Sequence, residues 1–152
     1  MPRVVLDTNV CLDLFVFHDP RWALLLQALE DRSIDAVTRE DCRREWQIVL
    51  TYPHLPLDAE SRLTSAAQFD ALIRCVPLAE YVPPGLQLPV CKDTDDQKFV
   101  ETAFQIQATA LITKDKALLK LARRCAKLGL TTILRPEEWV AQQNAKISIQ
   151  PA

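Results

Sequence analysis

Short apolar runs that break off at a polar or acidic residue recur along this chain, each followed by helical periodicity. Val4-Val5-Leu6 ends at Asp7-Thr8-Asn9, and Leu111-Ile112 ends at Thr113-Lys114-Asp115. Runs this short, apolar on both faces, are the pattern of strands buried within a parallel sheet. Further strands are expected at about 34–37, 75–78 and 131–134. Between them the spacing predicts helices starting near Asn9 and running over 22–29, 38–52, 58–74, 94–107 and 116–128, with a last one from Pro136. Thr38 opens a T-x-x-D start signal, and Thr94 with Gln97 forms an expected capping box. The helix over 58–74 is expected to bury Leu63, Ala66, Ala67, Leu72 and Ile73, and the helix over 116–128 to bury Leu118, Leu119, Ala122 and Leu128. The proline-rich stretch 82–91 reads as a loop approaching the acidic segment that follows it. Strands alternating with helices predict an α/β chain in three layers, α/β/α, with a central parallel sheet of four to five strands flanked by helices.

A length of 152 residues, 49% of them hydrophobic, suits one core. One domain is expected over 1–144, with 145–152 as a frayed tail. The net charge of −2 gives no overall positive field, so a polyanionic partner must be met by a local patch or through metal ions. Five cysteines without a C-x-x-C pair read as buried thiols of a reducing compartment. The N-terminus enters a strand without the apolar segment of a signal peptide, and no run reaches the roughly 18 apolar residues of a membrane span. These features predict a cytoplasmic protein without a membrane association.

Ligands of open α/β sheets bind beyond the carboxyl ends of the strands. Asp7 and Asp115 stand at two such ends, and Asp93-Thr94-Asp95-Asp96 opens a helix. Two carboxylates about 4 Å apart repel by roughly 4 kcal/mol at an effective dielectric of 20. Gathering several therefore calls for a cation. Hard oxygen donors favour Mg²⁺ or Mn²⁺ over zinc. Asp93 and Asp96, three apart, share a face from which Asp95 points away. Thr113 and Lys114 are placed to bond phosphate or acids. Glu45, amid Arg43, Arg44 and Trp46, reads from local pattern alone as a solvated helix residue beside the core stripe. The chain has only two glycines and no G-x-G-x-x-G or G-x-x-x-x-G-K segment, which argues against a dinucleotide enzyme or a P-loop NTPase.

The segments LDTNV (6–10), TREDCRREWQIVL (38–50), KDTDDQKFVETA (92–103) and LITKDKALL (111–119) resemble, in order, the PIN-domain ribonucleases. More narrowly they resemble the toxin components of bacterial toxin–antitoxin pairs. The resemblance implies a PIN-like α/β/α fold and a Mg²⁺- or Mn²⁺-dependent endoribonuclease cutting single-stranded RNA. It implies Asp7, Glu45, Asp96 and Asp115 as the catalytic, metal-holding acids. Thr8 and Asn9 match the polar pair after the first acid. Asp93 and Thr113 are auxiliary positions. One ion is expected at Asp7, Asp96 and Glu45, and a second near Asp115. Trp46 and Gln47 after Glu45, and Lys114 and Lys116 around Asp115, depart from the family pattern.

RNA would need a positive rim, for which Arg43, Lys92, Lys98, Lys114 and Lys116 are the first choices, with Arg44, Lys120 and Arg123 nearby. The toxin reading implies a homodimer and a small antitoxin protein that covers the acidic crevice. Two alternatives stay open. One is a PIN-like RNA- or protein-binding module without activity. The other is a phosphotransfer domain built on strand-end acids, although Asn9 stands where an aspartyl phosphatase carries a second aspartate and the first strand lacks a receiver domain's acid pair.

Overall fold

The computed structural model describes residues 1–79 and 87–149. The chain runs β1 (Arg3–Leu6), α1 (Thr8–Phe15), α2 (Ala23–Glu30), β2 (Asp35–Arg39), α3 (Glu40–Val49), α4 (Ala59–Leu72) and β3 (Arg74–Val76). It continues through α5 (Gln97–Gln105), β4 (Ala110–Ile112), α6 (Lys116–Leu119), α7 (Ala122–Lys127), β5 (Thr132–Leu134) and α8 (Pro136–Ile149). The five strands are parallel in the order β3-β2-β1-β4-β5. Chain direction across the sheet reverses between β1 and β4, which opens a crevice beyond their carboxyl ends.

Side-chain alternation along the strands divides the core into two layers. Val4, Leu6, Ala36, Ala110, Ile112 and Leu134 pack with Leu14 and Phe15 of α1, Leu25 and Leu29 of α2, Phe69 of α4 and Trp139 of α8. Val5, Val37, Leu111 and Ile133 pack with Phe99, Val100 and Ala103 of α5, Leu118 of α6 and Cys125 of α7. Helix α3 serves both, with Trp46 in the first layer and Cys42 in the second. Trp46 lies over Phe69 with ring centroids 4.9 Å apart, and Phe15 meets both rings edge-on at 6.0 Å. The tryptophan that departs from the family pattern therefore ties α1, α3 and α4 together.

Several local expectations are corrected. Thr38 does not cap a helix, because β2 continues through Arg39 and α3 starts at Glu40 without a side-chain cap. Asp93, not Thr94, caps the next segment, which begins as a 3₁₀ turn over Thr94–Asp96 before α5. Helix α4 turns Ser65 and Phe69 inward and leaves Leu63 73% exposed. The Ser65 hydroxyl donates to Phe15 O at 2.8 Å, so a polar residue occupies the buried face and masks the apolar stripe. The expected helix over 116–128 is two helices, with Cys125 buried and Leu128 47% exposed. Cys75, on the edge strand β3, is exposed, while the other four thiols are buried and all five are free. These corrections aside, helix α8 runs to Ile149, and residues 150–152 lie outside the described residues. Of the expected loop over 82–91, residues 82–86 also lie outside them, and 87–91 carry no regular element. Among the described residues no helix is long and apolar enough to cross a membrane.

Candidate active site

Asp7 is the first residue beyond β1, and its backbone N–H still donates to Ile112 O on β4, at 3.0 Å. That bond pins the carboxylate to the point where the sheet changes direction. Its Oδ1 accepts from Thr8 N–H at 2.6 Å, capping α1, and its Oδ2 accepts from the Thr113 hydroxyl at 2.7 Å. The Thr113 oxygen in turn accepts from Asp115 N–H at 2.9 Å, and Asp115 Oδ1 accepts from Ala117 N–H at 2.7 Å to cap α6. Asn9 Oδ1 faces Lys114 N–H at 3.4 Å. One hydrogen-bonded chain thus runs from the end of β1 to the start of α6.

The 3₁₀ turn before α5 brings in the remaining acids. Asp93 Oδ1 accepts from Asp95 N–H at 3.1 Å, and Asp96 is buried. The Gln97 side chain holds the incoming strand of chain by accepting from Cys91 N–H at 2.6 Å and donating to Pro89 O at 3.1 Å. Carboxylate oxygens of Asp93, Asp96 and Asp115 all lie within 4.8 Å of one another. The expected auxiliary Asp93 therefore stands directly beside two of the four expected acids, with Asp95 exposed and outside the group.

The electrostatic state of this floor follows from its burial. Loss of hydration pushes the Asp7 carboxyl up to about 6, against the lowering effect of the bonds from Thr113 and Thr8, with the negative charges of Glu45 and Asp115 adding to the rise. Asp96 is pushed up to about 8 by burial first, then by its contact with the Asp115 carboxyl and the charges of Asp7, Asp115 and Asp93. These are carboxylates short of a cation.

Glu45, reaching across from α3, is held differently. Its Oε2 accepts from the Thr8 hydroxyl, and its Oε1 lies 2.9 Å from the Lys98 ammonium of α5. Lys98 also donates to Asp95 O. Burial works against the ammonium charge, yet the bond and charge of Glu45 outweigh it and raise the Lys98 pKa. The relative placement of α3 and α5 depends on Arg39, a buried cation only 2% exposed. It donates to Asp41 at 2.8 and 2.7 Å and to Glu101 at 3.0 Å, and it lies 3.5 Å from Gln105 Oε1.

The expected positive rim divides in two. Lys98 is committed to Glu45, Lys114 lies 2.7 Å from Asp13, and Arg43 lies 2.8 Å from Asp70. Lys92 and Lys116, with Arg44, Lys120 and Arg123, are exposed and form no ion pair among the described residues. The sequence reading missed Asp13, a buried acid of α1 that accepts from Trp22 Nε1–H at 3.0 Å as well as from Lys114. Its only signal was a charged residue at a helix position flanked by Leu12 and Leu14.

Residues 3–117 match the sequence model of the PIN domain, a span that takes in β1 through the start of α6 and every acid described above. The chain belongs to the PIN-domain family. PIN domains are generally nucleases that use divalent metals, and the all-parallel three-layer fold agrees with the assignment. No curated protein matches the chain. The donor set of this PIN domain fits such an ion: the clustered atoms are carboxylate oxygens, with no imidazole or thiolate in the group, and burial together with neighbouring negative charge raises Asp96 within it and Asp7 beside it.

Proposed function

We propose that this PIN domain is a Mg²⁺- or Mn²⁺-dependent endoribonuclease that hydrolyses phosphodiester bonds in single-stranded RNA, and that it acts in the cytoplasm as the toxin of a toxin–antitoxin pair. The observation that carries the reading is the meeting of Asp93, Asp96 and Asp115 within 4.8 Å, beside buried Asp7, at the strand ends flanking the β1/β4 crevice. Asp96, Asp115 and Asp93 would hold the ion, with Asp7 behind them. A divalent ion bound there supplies positive charge that polarises a phosphoryl oxygen and makes water a stronger acid.

The protein's own groups do the rest. Thr8 N–H and the Thr113 hydroxyl fix both oxygens of Asp7, so its orientation is set before any substrate arrives. Asp96, pushed up to about 8 in the ion-free chain, gives up its proton when it takes the ion. Thr8 and Lys98 hold Glu45 at the α3 side of the crevice. Lys92 and Lys116, exposed on the segments that carry Asp93 and Asp115, are the charges available to meet the RNA backbone. The toxin role rests on the resemblance of the four sequence segments. Its partners would be a second copy of the chain and an antitoxin protein covering the crevice.

The test is Mn²⁺-dependent cleavage of a mixed RNA pool by the purified chain, alongside Asp7→Asn and Asp96→Asn. Cleavage by the parent and loss in both variants is expected. Equal activity in all three would refute the assignment.

A further inference from the structure

We propose that Lys98 is a built-in cation for the Glu45 side of the crevice, so that the chain takes one divalent ion, at Asp93, Asp96 and Asp115, and none at Glu45. Three observations converge on it. First, the Lys98 ammonium lies 2.9 Å from Glu45 Oε1, and the pair is well sheltered, with side-chain exposures of 19% and 26%. Second, the other Glu45 oxygen already accepts from the Thr8 hydroxyl, so neither oxygen is without a partner. Third, Lys98 donates to Asp95 O, which anchors it to the same turn that carries Asp96.

The carboxylates therefore sort by counter-charge. Glu45 has an ammonium at its Oε1, whereas Asp93, Asp96 and Asp115 have their oxygens gathered within 4.8 Å and no ion pair among the described residues. A divalent ion at Glu45 would have to sit against the Lys98 charge and displace either it or the Thr8 hydroxyl. At the aspartate group it has no side-chain cation to displace among the described residues. Lys98 is thus a positioning residue: it acts through Glu45 by setting where, and how many, ions bind. A helix lysine that sequence pattern assigns to the RNA-facing rim is spent inside the site.

This inference rests on the reading of the crevice as a divalent-ion site, but not on RNA being the substrate. The measurement is calorimetric titration of the full chain with Mn²⁺ alone, with free ion counted by electron paramagnetic resonance. One ion per chain is expected for the parent and for Lys98→Arg, and two for Lys98→Gln. Glu45→Gln is expected to bind its single ion within about fivefold of the parent affinity, as for loss of a partly exposed pair, whereas Asp96→Asn loses about 10-fold or more. Two ions on the parent, one ion on a folded Lys98→Gln, or a loss at Glu45→Gln matching that at Asp96→Asn would each overturn the proposal. The Glu45→Gln arm decides the matter even where Lys98→Gln does not fold. RNA cleavage by the parent, scored in parallel, separates the two readings. Cleavage with two bound ions sinks this inference alone, and one bound ion without cleavage sinks the nuclease assignment alone.

Discussion

In the absence of divalent ions, Asp7→Asn is expected to stabilise the folded chain, against the usual outcome of altering a buried, doubly hydrogen-bonded residue. Burial raises the Asp7 carboxyl from an ordinary 3.8 to about 6. A carboxyl raised on folding favours the folded state fully below its unfolded pKa, and that advantage is lost as pH rises through the folded one. Above pH 7 the ionised group therefore costs about 3 kcal/mol, from roughly two pKa units at ~1.4 kcal/mol each. At pH 4.5 the same relation leaves only about 1 kcal/mol. Asparagine is neutral, keeps an acceptor for Thr8 N–H, and presents an N–H₂ to the Thr113 oxygen. Thermal melts in EDTA at pH 7.5 should then show the variant higher by up to about 6–12 °C, at ~2–4 °C per kcal/mol for a chain of this size. The gap should shrink to about a third at pH 4.5. Mn²⁺ at 100 times its dissociation constant adds about 2.7 kcal/mol to the parent, so the gap should narrow to the extent that asparagine at position 7 weakens the ion's binding. A variant that melts below the parent in EDTA at pH 7.5, or a gap that does not narrow in acid, would refute the account of Asp7 as a charge short of a cation.

Three further outcomes follow from the same geometry. With Asp7 raised to about 6 and Asp96 to about 8, protons compete with the ion, so Mn²⁺ affinity should rise by more than about 10-fold between pH 6 and 8, with proton release. Titrations in two buffers of different ionisation enthalpy check this, and a flat profile would contradict it. Trp46→Ala, which removes the ring stacked on Phe69 and met by Phe15, should destabilise by about 3–5 kcal/mol in denaturant titrations. A loss under about 1 kcal/mol would mean the aromatic group does not anchor α3. Gln107, at φ 54°, ends α5 in the left-handed conformation, with Gln107 N–H on Phe104 O and Ala108 N–H on Ala103 O. Gln107→Gly should stabilise by about 0.5 kcal/mol, the relief of a strained φ less glycine's greater unfolded freedom. A lower denaturation midpoint would show that the glutamine side chain matters more than its backbone.

Much of the architecture was legible because parallel strands buried on both faces must be short and apolar, and their ends must carry the first polar residue. Val4-Val5-Leu6 and Leu111-Ile112 therefore announced β1 and β4, and the acids after them announced the crevice. Helix ends and faces were less legible where the usual punctuation is missing. Gln107 occupies the position that Gly129 fills at the end of α7, where Leu130 N–H bonds Cys125 O, and only the second carries the glycine that marks such an end. No proline or glycine marks the break between α6 and α7, and buried Ser65 conceals the inward face of α4.

By itself the sequence determined the supply of chemistry: which carboxylates stand at element ends, and that a sheet of this kind points Asp7 and the segment of Asp115 to one edge. Only the tertiary structure decided how those charges are shared out. Asp93 joined Asp96 and Asp115 because a 3₁₀ turn precedes α5, and Lys98 met Glu45 because α3 and α5 pack side by side. Hydrogen bonds and ion pairs act over a few ångströms, so partners distant in the chain become partners only once packing has placed them.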